Sequence, residues 1–144
     1  MSIAAALRES WGWTEIAFAA VHSVSPMGHL VLSDSEGCYY YLDPELRSID
    51  ALGNEEATRT HFAQQETQDI WRAHALVEAA RERLGEPPDG SIYTLKPLAL
   101  LQGDYGYENL CILPLEELIR FTGDVSRQTK DQPERGQYEI KIVE

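Results

Sequence analysis

Residues 29–43, HLVLSDSEGCYYYLD, hold two apolar and aromatic runs separated by Ser35-Glu36-Gly37. A three-residue connection with glycine in the left-handed conformation is a common hairpin closure, and aromatic and β-branched residues suit the strands beside it. The pattern predicts strands at 29–34 and 38–43. Side chains alternate along a strand. Leu30, Leu32, Tyr40 and Leu42 therefore share one face, and Tyr39 and Tyr41 share the other with His29 and Val31. A loop one residue longer or shorter would exchange the two sets.

The flanking segments extend this pattern. EIAFAAVHSV (15–24) reads as a strand, SPMG (25–28) as a turn and RSIDAL (47–52) as a further strand. Residues 2–9 suggest a short helix, and 54–64 a polar helix with Asn54 as N-cap. The strongest helical signal is 66–84, where Ile70, Ala73, Val77, Ala80 and Leu84 form an apolar stripe. Gly85 stands where a C-cap glycine belongs, and Pro87-Pro88 block continuation. SIYTLKP (91–97) and NLCIL (109–113) read as strands. Pro114 opens a helix whose first turn carries Glu116 and Glu117, with Leu115, Leu118, Ile119, Thr122 and Val125 facing inward. QYEIKIV (137–143) reads as a last strand, with Tyr138, Ile140 and Ile142 on one side. Strands come early and helices later, without βαβ alternation. The expectation is one α+β domain over residues 1–144, with a mostly antiparallel sheet and two main helices, 69–84 and 114–127, packed on it.

Composition narrows the function. The 144 residues carry 12 Lys plus Arg against 24 Asp plus Glu, a formal charge of -12. Nucleic-acid binders need a basic footprint, and anionic membranes attract basic segments, so neither is an expected partner. The opening MSIAAALRESWGW lacks the basic region and apolar length of a secretory signal, and a cytoplasmic location is the expectation. Cys38 and Cys111 each sit in an apolar run and are expected to be buried, reduced and inert.

Catalytic patterns are missing from the sequence. There is no HExxH, no GxSxG elbow, no phosphate-binding GxxxxGK[ST] and no CxxC pair. His22 and His29 flank the 25–28 turn, but isolated strand histidines are more often surface residues than ligands, and His74 borders the apolar stripe. No catalytic residue, cofactor or metal is expected, and the chain reads as a binding protein rather than an enzyme. Two alternatives stand beside that reading: an acidic scaffold or regulatory module, and an enzyme using Asp104 with His22 or His29.

Two segments carry the candidate contacts. Residues 34–56 hold seven acids and one base, Arg47, for a net charge of -6. Within them Asp34, Glu36, Tyr39, Tyr41 and Asp43 make a tyrosine patch among carboxylates, suited to anchoring a basic partner. The same tyrosines would equally serve as half-buried sheet residues. QGDYGYE (102–108) places Asp104, Tyr105, Tyr107 and Glu108 in a loop between Gly103 and Gly106, either as a second contact or as a structural closure before the next strand. Trp11 and Trp13, flanking Gly12, read as core or lid residues.

LRESWGWTEI, followed by MGHLVLSDSEGCYYYLDPEL, resembles the start of a bacterial family. YTLKPLALLQGDYGYENLCILPLEELIRFTGDVSRQTKDQPERGQYEIKIV is similar to its C-terminal signature, here at about 91–143: a strand ending in Lys-Pro, a glycine loop with an aromatic, Asn-Leu, a short strand, and a Leu-x-Glu-Leu-Ile helix carrying Gly-Asp. That family is the domain at the C-terminus of immunity proteins of type VI secretion DNase toxins. The resemblance implies stoichiometric inhibition of a cognate toxin effector with a basic nuclease surface. Its motifs are structural, so it names no contact residues.

Overall fold

The computed structural model describes residues 3–129, except 103 and 105. The strand expected at 137–143 lies outside them. After a first helix, α1 (Ile3–Trp11), the chain enters a four-stranded antiparallel meander: β1 (Phe18–Val24), β2 (Leu30–Asp34), β3 (Tyr39–Asp43) and β4 (Ser48–Gly53). In the hairpin Leu30 opposes Leu42, Val31 opposes Tyr41, Leu32 opposes Tyr40 and Ser33 opposes Tyr39, the register expected from the loop length. Gly37 takes φ 85°, the left-handed conformation that this turn needs. Asp34 fastens the turn: its Oδ1 accepts from the Glu36 and Cys38 amides, each at 2.9 Å.

Two short helices follow, α2 (Glu55–Phe62) and α3 (Gln65–Arg72), then α4 (His74–Leu84). The Asn54 side chain caps α2 by accepting from the Ala57 amide at 2.9 Å. A second antiparallel pair, β5 (Ser91–Leu95) and β6 (Leu110–Pro114), brackets α5 (Pro97–Gln102), and α6 (Leu115–Thr129) ends the described chain. The inner face expected for α6 is correct, although Pro114 pairs with Ser91 at the end of β6 rather than opening the helix: Leu115, Leu118, Ile119, Thr122 and Val125 are all buried.

One apolar cluster joins the halves of the chain, taking Leu7 and Trp11 from α1, Leu30, Leu32 and Leu42 from the meander, Leu95 from β5 and Leu118 from α6. α6 packs on α1 and on β6. Both N-terminal tryptophans fasten to α6, Trp11 Nε1 donating to the Ile119 carbonyl and Trp13 Nε1 to the Gly123 carbonyl, each at 3.2 Å. The helices cross closely at Gly123, where a Cβ would stand 2.5 Å from the Ser10 carbonyl oxygen.

The structure corrects the sequence reading in three places. The helix expected over 66–84 is broken at Ala73, which takes φ 44° and ψ 48°. One left-handed residue leaves the apolar spacing intact while redirecting the axis, so periodicity does not register it. Its consequence is that Ile70 leaves the stripe and is 52% exposed, whereas Val77 and Ala80 stay buried. Second, residues 97–102 are helical: Pro97 occupies the first helical position, and Leu-Ala-Leu-Leu favours helix. Third, the cysteines are free but only half-buried, Cys38 just before β3 and Cys111 within β6, rather than inside the core.

Candidate partner-binding face

The meander has two covered faces. Leu30, Leu32 and Leu42 point into the main core. The opposite face, with His29, Val31, Tyr39 and Tyr41, lies under α2 and α3. Tyr41 stacks on Phe62 with ring centroids 6.0 Å apart and meets Trp71 edge-on at 5.8 Å; Phe62 and Trp71 meet edge-on at 5.4 Å. Such ring pairs each contribute about 0.5–1.5 kcal/mol beyond area burial. His61 adds an edge contact to Tyr41.

Beneath these rings is a polar network that the sequence did not announce. His29, expected at the surface, is 3% exposed. Its Nδ1 lies 2.7 Å from the Tyr41 hydroxyl and its Nε2 2.6 Å from Glu45 Oε2, with Asp43 Oδ1 at 4.0 Å. An ionised carboxylate only accepts, so Nε2 carries the hydrogen. Nδ1 then accepts from the Tyr41 hydroxyl when the ring is neutral and donates to it when the ring is charged. Burial pushes the His29 pKa down, but the hydrogen bond and charge of Glu45 and the charge of Asp43 outweigh it, and the ring holds its proton above the usual 6.5. Burial, joined by its hydrogen bond with Glu45, pushes Asp43 up to about 6. Glu45 falls below its usual 4.5, because bonding to His29 overcomes its burial. The ligand atoms of His29, Asp43 and Glu45 lie within 4.8 Å of one another, the set among the described residues able to surround a metal ion. Both His29 nitrogens already have partners, and Asp43 Oδ1 accepts the Glu45 and Leu46 amides at 3.0 and 3.2 Å, so the cluster is satisfied as a proton-sharing network. His22 is held apart from it, bonded to Ser33 Oγ at 2.8 Å and stacked on Tyr39 at 4.8 Å.

The expected contact residues therefore divide. Tyr41, 9% exposed, and Asp43 belong to the internal network. Asp34 serves the hairpin turn and also accepts from the Tyr40 hydroxyl at 3.0 Å; these bonds, the Cys38 amide first, hold its carboxyl below the usual range. Glu36 is exposed at the hairpin tip and Tyr39 is half-buried. In the second segment Asp104 and Glu108 are exposed, Tyr107 is 55% exposed, and Tyr105 lies outside the described residues. Arg83 of α4 donates to the Tyr107 carbonyl and holds this loop against α4. Among the described residues no hydrogen bond, ion pair or ring contact joins the hairpin set to the loop set, or Asp104 to His22 or His29.

Between β4 and α2–α3 runs a groove of about 700 Å³. Tyr41 and Asp43 reach its floor, and its charged lining is Asp43, Asp50 and Glu66, with no lysine or arginine. Leu46 and Ile70 stand on its wall, 70% and 52% exposed. Sequence reasoning missed it because β4, α2 and α3 build it jointly. The only advance signal was the excess of acids over 34–56.

The family model described as T6SS immunity protein Tdi1, C-terminal, matches residues 56–126. This segment belongs to that family. The match runs from α2 to Ser126 in α6 and takes in residues 91–126 of the expected signature, while α1 and the meander lie before it. Membership in a T6SS immunity family supports a toxin-immunity role for the chain. No curated protein and no solved structure matches the chain. Among the described residues no helix is long and apolar enough to cross a membrane.

Proposed function

We propose that this protein is an immunity protein that binds one cognate type VI secretion toxin in the cytoplasm and neutralises it by occupancy, with no chemistry of its own. The observation that carries this reading is the family match over α2 to α6. The charge of -12 supports a toxin with a basic working surface, as a nuclease that grips DNA phosphates must have. An acidic inhibitor is drawn to such a surface and competes with the polyanion for it.

Peripheral contacts in this reading come from the exposed acids and half-exposed tyrosines, Glu36 and Tyr39 of the hairpin and Asp104, Tyr107 and Glu108 of the second loop. Tyr41 and Asp34 shape the face from within. Carboxylates at a rim mainly set encounter rate, and desolvated aromatic anchors set residence time. The test is co-expression with the toxin encoded beside this chain's gene. Survival of cells that die with the toxin alone supports immunity. Death in both cases, or the absence of any neighbouring toxin gene, favours the scaffold reading instead.

A further inference from the structure

We propose that the groove between β4 and α2–α3 is the toxin's docking site, receiving a lysine or arginine side chain beside Asp43, Asp50 and Glu66 while an adjacent apolar residue rests on Leu46 and Ile70. This deepens the immunity reading and rests on it.

Three observations converge on the groove. The first is its size: about 700 Å³ lies within the range of clefts that enclose a ligand or several side chains. The second is its apolar wall. Four large hydrophobic side chains are exposed among the described residues, Val24, Leu46, Ile70 and Tyr107, and two of them border this one groove. Apolar side chains grouped at a concave surface mark contact sites, whereas singly scattered ones do not. The break at Ala73 accompanies the placement of Ile70 there, outside the face of α4 that enters the core.

The third observation is charge. The groove is lined by three carboxylates and no lysine or arginine. At its floor Asp43 adjoins Glu45, and His29 is the one basic group paired with these two acids among the described residues. Two acids against one imidazole leave surplus negative charge beside a partly desolvated floor, the setting in which an incoming cation gains most. A guanidinium or ammonium carried by a basic toxin supplies what the groove lacks, and its aliphatic stem matches the apolar wall.

The test compares the purified full-length protein with two variants by surface kinetics against the cognate toxin. Leu46→Ser with Ile70→Ser should speed dissociation at least about tenfold, because apolar anchors govern residence time. Asp50→Asn with Glu66→Gln should slow association several-fold and flatten its salt dependence. The control removes the same charge elsewhere, at exposed Glu82 and Asp89, by Glu82→Gln with Asp89→Asn. All four groove positions are outside the buried core, and unchanged thermal melts confirm that the variants fold. If the control slows association as much as the groove acids do, net charge alone is acting and the groove assignment falls. If the wild type binds tightly and both groove variants match it, the toxin docks elsewhere, with the immunity reading intact. If the wild type forms no complex, both readings fall. A chain that self-associates in light scattering, and loses this with Leu46→Ser and Ile70→Ser, uses the groove for a second copy, which also overturns the proposal.

Discussion

His29 Nε2 and Glu45 Oε2 stand 2.6 Å apart, a part-buried bond that ties the residue before β2 to the turn leaving β3. Asp43 shares the same space, so one imidazole answers two carboxylates. The arrangement gives the fold a pH dependence with a definite sign. His29 and Asp43 both bind their protons more tightly in the folded state. Stability from Asp43 is full below its unfolded value and is lost as pH rises toward about 6. Stability from His29 is full below 6.5 and is lost as pH rises through its higher folded value. Glu45 acts oppositely, losing its contribution as pH falls below 4.5 through its folded value. Urea unfolding should show the greatest stability in mildly acid buffer, near pH 5, and a decline toward pH 8. A profile rising from pH 5 to 8 contradicts this network.

Asp43→Asn separates stability from binding. Asparagine keeps the oxygen that caps the Glu45 and Leu46 amides while removing a buried charge. The variant should be more stable at pH 8, on the order of 1 kcal/mol, with a shallower pH profile. It should also bind toxin more weakly, since the charge that costs stability is the one offered to the partner. Paired chemical denaturation and toxin binding measure both effects; a variant that binds as well as the wild type leaves Asp43 with no part in docking.

Ala73→Gly tests the helix break. A non-glycine residue in the left-handed region costs about 1–2 kcal/mol, which glycine avoids. The substitution should leave the melting temperature unchanged or raise it. In an unbroken helix the same change would cost about 1 kcal/mol, so a clear loss of stability restores the continuous helix.

Gly123→Ala tests the α1–α6 crossing. The added Cβ would meet the Ser10 carbonyl at 2.5 Å, and backbone cannot yield as a side-chain tip can. Separating the helices would also strain the Trp11 and Trp13 bonds to α6. A loss of about 1–3 kcal/mol is expected in urea unfolding. A neutral result shows that the helices stand farther apart.

The hairpin register, the Asn54 cap and the inner face of α6 were legible because each depends on residues close in the chain. The Ala73 break was not, because an alanine has no intrinsic reason to be left-handed; its position follows from where α3 and α4 pack. His29 looked like a surface residue because its neighbours in sequence are apolar strand residues and a glycine turn. Its partners, Tyr41 and Glu45, arrive from 12 and 16 residues away. The tyrosine triplet was correctly divided between faces, but alternation cannot tell a solvent-facing side from one roofed by helices. Phe62 and Trp71 supply that roof, and only the fold brings them over Tyr41.

Titration of toxin activity with this protein tests the central claim most directly. Toxin is held well above the dissociation constant, and residual activity is followed as protein is added. Inhibition by occupancy predicts a linear fall to zero at one equivalent, with no further loss of activity on longer incubation. Complete inactivation by a small fraction of an equivalent, progressing with time, would show that the protein turns over and would contradict the account.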